Sequence, residues 1–258
     1  MGKPLIFITN DDGVQAKGLR CLIDVVRPLG RLLVVAPEQG QSGMSHAITM
    51  TQPLFLTKIQ EEPDLEIYAC SGTPVDCVKI AFDSLMAPHE MPQLILSGIN
   101  HGSNSAINVL YSGTMAAAIE GSFYDIPSIG LSILSHDPQA DFSTAQTFAP
   151  QIIRRVLDEK PACPFCINVN IPYLKSDEIK GILPCRQNRG YWREEFNRRQ
   201  DPRGRDYYWL TGCFHNIETD ATDTDEWALN NGYISIVPIQ VDLTNYSQLQ
   251  TLKQWKWK

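Results

Sequence analysis

The first two thirds of the chain alternate short apolar runs with longer stretches of helical spacing. Residues 5–9, 32–36, 94–97, 128–132 and 166–170 are compact, mainly apolar runs bounded by turn formers, which predicts buried strands. Between them, 19–29 places Leu19, Leu22, Ile23 and Val26 on one helical face, and 75–85, 114–124 and 142–157 follow similar spacing. Residues 48–56 and 65–70 are more polar and predict a hairpin-like pair of strands. Strands that alternate with helices in this way imply a mainly parallel sheet covered on both faces. The fold class expected is α/β, doubly wound.

The pattern changes after Pro172. Residues 173–230 are polar and rich in turn formers, 232–242 return to strand-like alternation, and 247–257 predict a short terminal helix. The expected organisation is an α/β core over 1–172, an extended arm over 173–230, and a C-terminal segment over 231–258 whose strand returns to the core.

Composition narrows the function classes. With 43% hydrophobic residues among 258, the chain can bury one large core. The charge of −7, without a basic tail, disfavours a protein that coats nucleic acid. No apolar run approaches the ~20 residues of a membrane span. The apolar run 5–8 is too short for a signal-peptide core and no small-residue cleavage site follows it. Gly2 is followed by Ile6 where a myristoylation signal needs Ser or Thr. Seven scattered cysteines suit reduced thiols, so a cytoplasmic protein is expected. Cys163 and Cys166 have redox or half-zinc spacing but no second ligand pair, and packing is the favoured reading.

In an open α/β sheet, ligands bind beyond the carboxyl ends of the strands. The loop after the first strand carries Asp11 and Asp12, adjacent carboxylates that repel each other unless a cation neutralises them. The loop after the second strand, 36–46, is rich in Gly and Ser, and the loop from Gly98 carries Asn100 and Asn104. Carboxylates joined by amide and hydroxyl oxygens favour Mg²⁺ or Mn²⁺ over zinc. Ser112, Gly113 and Thr114 open a helix, where hydroxyls and unpaired N–H groups can hold an anion, although an ordinary N-cap accounts for them equally well. Ser71-Gly72-Thr73-Pro74 repeats that pattern with no metal candidate nearby. A hard cation beside an anion site describes metal-assisted phosphoester hydrolysis.

Five of these segments, 9–13, 36–43, 72–78, 97–100 and 111–121, stand in the order and spacing of the SurE family of 5′-nucleotidases, which the chain closely resembles. Asp201-Pro202-Arg203-Gly204 and residues 233–244 extend the resemblance through the arm. The resemblance implies a Rossmann-like core and a cytoplasmic, divalent-metal-dependent phosphatase acting on nucleoside 5′-monophosphates, with 3′-monophosphates and short polyphosphate as further substrates. It implies one Mg²⁺ or Mn²⁺ per subunit, held by Asp11, Asp12, Ser42 and Asn100. Phosphate contacts fall on Asn104, Ser112, Gly113 and Thr114, and Asp11 and Asp12 are the catalytic candidates. A homodimer or homotetramer built through the arm is implied as well. The chain departs from the family's usual residues at Lys17, Gln41 and 105–108, none of them a site position.

Rival readings are weaker. Aspartyl-phosphate chemistry uses two aspartates one residue apart, whereas Asp11 and Asp12 are adjacent, so water is the expected nucleophile, with Asp11 or Asp12 assisting its deprotonation. A nicotinamide enzyme would show Gly-x-Gly-x-x-Gly after the first strand, and here the chain reads Asn10-Asp11-Asp12-Gly13. A binding protein without catalysis is the alternative the arm offers. Its seven arginines between Arg186 and Arg205 interleave with Tyr191, Trp192, Tyr207, Tyr208 and Trp209, a composition that suits single-stranded nucleic acid. Acidic neighbours such as Asp201 and Asp206 offset that charge, and a subunit interface is the preferred reading over nucleic acid. His46 and His101 adjoin site loops as possible proton donors, solvated loop histidines being commoner; His89, His136 and His215 carry no motif. Glu120 suits a supporting or packing role.

Overall fold

A computed structural model of the chain describes residues 3–87 and 90–257; His89 lies outside the described residues. The expected strands and helices form in order, with one exception at residues 48–56. Strand β1 (Leu5–Thr9) leads to α1 (Lys17–Val26) and β2 (Arg31–Pro37), and β3 (Leu56–Glu62) pairs with β4 (Leu65–Cys70). Helix α2 (Pro74–Ile80) runs into a wider turn over Ala81–Leu85 before β5 (Leu94–His101). A 3₁₀ turn (Ala106–Leu110) precedes α3 (Gly113–Ser122), followed by β6 (Ser128–Ile133), α4 (Ser143–Glu159) and β7 (Cys166–Ile171).

The nine-stranded sheet has the order β3-β4-β2-β1-β5-β6-β7, continued by β11 (Tyr233–Ile239) and β8 (Gly181–Pro184). From β4 to β7 all neighbours are parallel, and β3 and β11 join antiparallel. This is a Rossmann-like, doubly wound sheet. Alternation along β1 shows why it needs two covered faces. Ile6 and Ile8 pack with Leu22 of α1 and Ile153 of α4, whereas Phe7 packs on the other face with Val78 of α2 and Ala117 of α3. Each of these seven side chains is fully buried. At roughly 1.5–3 kcal/mol per large apolar side chain, the two faces supply the main favourable term of folding.

Residues 48–56 are the one predicted strand that does not form, and β3 begins at Leu56 instead. In and just before this segment, backbone groups are tied to Ser71, Thr73 and Asp76 rather than to a strand partner. Asp76 accepts from Thr49 N at 3.1 Å, Ser71 Oγ accepts from Phe55 N at 2.8 Å, and Thr73 donates to Ala47 O at 2.8 Å. After β7, the long antiparallel hairpin of β9 (Gly190–Gln200) and β10 (Asp206–Asn216) extends from the sheet's far edge region, where β8 pairs with β11. Helix α5 (Asp225–Asn230) follows, and α6 (Tyr246–Lys253) ends the chain with no buried residue. Among the described residues no helix is long and apolar enough to cross a membrane.

Candidate functional site

The direction of chain progression across the sheet reverses between β1 and β5. From β1 it moves outward through β2 and β4, and from β5 it moves the other way through β6 and β7. Parallel neighbours splay at such a switch point, and the loops beyond their carboxyl ends leave a crevice. Asp11 and Asp12 follow β1, and Asn100 ends β5. A bulge between Ser97 and Asn100 interrupts the pairing of β5 with β6 at that end.

Five expected site residues, Asp11, Ser42, Asn100, Asn104 and Ser112, line one cleft of about 480 Å³. Asp12 stands beside it, half-buried, with Oδ2 accepting the His101 N–H at 3.1 Å. Gly113 and Thr114 lie behind the lining. Thr114 is fully buried and its hydroxyl donates to Asp11 Oδ1. The Cα of Gly113 packs against Asp11 so closely that a Cβ there would stand 2.8 Å from Asp11 Cβ. Each carboxylate therefore has one oxygen held by the protein.

Burial pushes the Asp11 carboxyl up to about 6; the Thr114 hydroxyl pulls it down, and the charge of Asp12 pushes it further up. Burial raises Asp12 too, against the His101 N–H and the neighbouring His101 and His136 rings. Two adjacent carboxylates, one buried and one half-buried, held above the usual range are groups that a cation would restore to the ionised form.

The neutral donors are fixed in the same way. Asn100 Nδ2 donates to Gly102 O at 2.8 Å, which leaves its amide oxygen as the atom for a cation. Ser112 caps α3 by accepting the Met115 N–H at 3.0 Å, so its hydroxyl proton is available to an acceptor. Asn104 is set by a buried polar ladder. Its N–H donates to Asn170 Oδ1 at 2.8 Å, its Nδ2 to Ser132 Oγ at 2.9 Å, and Asn168 Nδ2 donates to its carbonyl at 2.8 Å. The Ser42 loop is pinned at its far side: Ser45 Oγ donates to Leu110 O at 2.6 Å, and His46 Nε2 meets Glu120 Oε2 at 3.0 Å. Lys79 reaches the other oxygen of Glu120 at 2.5 Å. Glu120 thus supports the loop from α3, and His46 faces that carboxylate.

The donor set is two carboxylates, a hydroxyl and an amide oxygen. Among the described residues, no group of three His, Cys, Asp or Glu stands where it could hold a metal. Hard oxygen donors of this kind fit Mg²⁺ or Mn²⁺, which keep part of their water shell, and do not fit a closed zinc site. A larger, mainly apolar groove of about 790 Å³ lies on the other side of Ser112, walled by Leu110, Ile119, Phe123 and Val241. It holds none of the paired carboxylate chemistry.

Several cleft residues lack an obvious sequence signal. His136 lines the cleft above Gly102, whose φ of +100° and missing Cβ make room for the ring, since a Cβ would lie 2.3 Å from it. Glu226 of α5 accepts from Ser105 Oγ, and Trp192 and Phe214 of the hairpin close one side. The asparagines had a readable signal: Asn168 and Asn170 alternate along a strand that is otherwise apolar and wholly buried. Cys163 and Cys166 are free thiols, and burial pushes Cys166 up to about 12, against any thiolate role.

Comparison with known proteins identifies the family and the fold. The family described as Survival protein SurE matches residues 6–194. The chain is 52% identical over 255 residues to a protein of Flavobacterium johnsoniae named 5′-nucleotidase SurE, covering 98% of this chain and 97% of that one. A protein of the same name from Cytophaga hutchinsonii is 47% identical over 258 residues, covering 100% and 99%. The crystal structure of the SurE protein from Aquifex aeolicus superposes with a TM-score of 0.82 at 36% identity, covering 97% of this chain and 98% of that one.

Proposed function

The chain belongs to the SurE family, and from that membership we propose that it is a 5′-nucleotidase, a divalent-metal-dependent phosphatase that hydrolyses nucleoside 5′-monophosphates to nucleoside and phosphate. The observation that carries the reading is the pairing of Asp11 with Thr114, which joins the carboxylate after β1 to the start of α3 at the edge of one cleft.

Asp11, Asp12, Ser42 and Asn100 would hold one Mg²⁺ or Mn²⁺ per subunit. The bound cation supplies Lewis acidity, polarising a phosphoryl oxygen and lowering the pKa of water. The remaining steps fall to side chains and backbone. Ser112, whose lone pair caps the helix, donates its proton to a phosphoryl oxygen. The first N–H groups of α3, at Gly113 and Thr114, point along the positive end of the helix dipole and stabilise charge that accumulates on the equatorial oxygens. Asn104, fixed by its ladder, orients a third oxygen. Asp11 or Asp12 takes the proton from attacking water, each having one oxygen already held by a donor. Nucleoside 3′-monophosphates and short polyphosphate present the same terminal phosphate and belong to the proposed substrate range.

We further propose a cytoplasmic homodimer or homotetramer. The hairpin supports assembly, because Phe196, Tyr208, Trp209 and Leu210 are all exposed on it.

Phosphate release from a panel of nucleoside monophosphates, with Mg²⁺, Mn²⁺ or EDTA, tests the reading. Release that EDTA and Asp12→Asn both abolish is expected. Release that persists in EDTA, or a phosphorylated aspartate trapped during turnover, would overturn the metal-assisted water reaction.

A further inference from the structure

We propose that Trp192 and Phe214, at the base of the β9–β10 hairpin, form the platform on which the nucleobase of the substrate stacks. The proposal rests on the phosphatase reading of the cleft and adds the groups that recognise the other end of the substrate.

A phosphate site alone needs little space. The cleft of about 480 Å³ is much larger, and its lining divides into two chemistries. Asp11, Ser42, Asn100 and Ser112 bring oxygens to it, while Trp192 and Phe214 bring aromatic surface. Its size falls within the ~300–1,000 Å³ range of small-molecule sites, where apolar surface carries affinity and a few polar groups set orientation. A ligand with an anion at one end and a flat π-system at the other matches both parts.

The two rings are built in. They are register partners across the hairpin, with centroids 6.3 Å apart and planes inclined by 66°. Trp192 Nε1 donates to Asn108 Oδ1 at 2.7 Å, and the Asn108 carbonyl accepts the Tyr111 N–H at 3.0 Å, one residue before Ser112. The indole is thereby tied to the loop that presents the phosphate-binding serine. Phe214 occupies the place a side chain at position 190 would fill, since a Cβ on Gly190 would stand 2.3 Å from its Cζ. The strand entering the hairpin is anchored by Asp225, which accepts from Asn188 N and Ala106 N, each at 2.8 Å. A rigid aromatic face costs little entropy on binding, and every base has a π-face to lay on it. Farther out on the hairpin, Phe196, Tyr207, Tyr208 and Trp209 do not line the cleft and do not share this role.

Steady-state kinetics with adenosine 5′-monophosphate and with ribose 5-phosphate, which has no base, test the platform. Truncating a stacked aromatic weakens binding by roughly five- to 150-fold, and a partly exposed ring belongs near the lower end. Trp192→Ala is expected to lower the ratio of kcat/KM for the nucleotide over the sugar phosphate by about tenfold, through KM. Trp192→Phe keeps a stacking face and is expected to recover most of that ratio. Equal losses on both substrates, or an unchanged ratio, would overturn the proposal and reduce Trp192 to a structural anchor. If the wild-type protein hydrolyses neither substrate, the phosphatase reading fails by itself. Equilibrium dialysis of adenosine 5′-monophosphate then decides the platform separately: weaker binding by Trp192→Ala supports it, and unchanged binding overturns it.

Discussion

The Thr114 hydroxyl donates to Oδ1 of Asp11 from the first turn of α3, and both side chains are buried. This bond spans 103 residues of sequence and fixes the carboxylate at the edge of the cleft. A hydrogen bond to a charged group contributes about 1.5–3 kcal/mol, more than a neutral pair, and leaving the carboxylate without its donor costs that much. Thr114→Val, which keeps the shape and removes the donor, is expected to lower unfolding free energy at pH 8 by about that amount. Thr114→Ser should recover most of it. Urea unfolding of the three proteins in EDTA measures the difference, and equal stability of Val and Thr at position 114 would contradict the role given to the bond.

Asp11 also makes a signed prediction about pH. Its carboxyl is raised from 3.8 to about 6, chiefly by burial, so the folded state binds its proton more tightly than the unfolded chain does. The penalty for holding it ionised is therefore fully present above pH 6 and fades as pH falls through 6 toward 4. Without metal, Asp11→Asn should be more stable than the wild type at pH 8, and the advantage should shrink as the solution is acidified. Unfolding curves in EDTA from pH 8 to pH 4.5 check this. An advantage that grows on acidification would reverse the sign and refute the burial argument.

Glu120 joins two elements that no local sequence pattern connects. Its buried carboxylate takes Lys79 on one oxygen and His46 on the other. Burial opposes its ionisation, yet those two partners hold it below the usual carboxylate range. Its contribution to stability is present above the ordinary value near 4.5 and is lost as pH falls through the lowered one. Glu120→Ala would free the His46 end of the loop that carries Ser42. A loss of about 1–3 kcal/mol in stability is expected, together with a several-fold rise in the Mn²⁺ concentration needed for half-maximal activity. Titration of phosphate release against Mn²⁺ reads the second effect, and an unchanged midpoint would separate Glu120 from the site.

How much of this could be read in advance follows from the range of each interaction. The core strands carried their own signal, since residues buried on both faces are apolar whatever their partners. The loops after β1 and β5 were legible because sheet topology puts strand ends together, and Asp11 and Asn100 do share one cleft. Residues 48–56 misled because side chains of Ser71 and Asp76, distant in sequence, take the backbone N–H groups of Phe55 and Thr49 that a strand would pair. Trp192, Phe214 and Glu226 reach the cleft from the hairpin and α5, far along the chain, and His136 reaches it from the loop after β6. Aromatic and charged residues in a polar segment look the same in sequence whether they face a ligand, a partner or water.

Two glycines near the carboxylates make opposite predictions, because only one of them is there for closeness. At Gly113 a Cβ would stand 2.8 Å from Asp11 Cβ and 3.1 Å from Oδ2, with the rigid start of α3 on one side and the end of β1 on the other. Neither side can yield without moving the carboxylate. At Gly40 the nearest atom to an added Cβ is Asp12 O at 3.6 Å, an ordinary contact. A displacement of about 1 Å at a reacting group costs on the order of 10²-fold in rate. Gly113→Ala is therefore expected to lower kcat by roughly 100-fold while the protein still folds, because the clash is with one side chain and not with the core. Gly40→Ala should stay within about twofold of wild type, its Cβ meeting only van der Waals contact. Circular dichroism establishes that both variants fold, and phosphate release under saturating substrate reads the rates. Near-normal turnover by Gly113→Ala would show that the close approach of α3 to Asp11 is incidental to the chemistry.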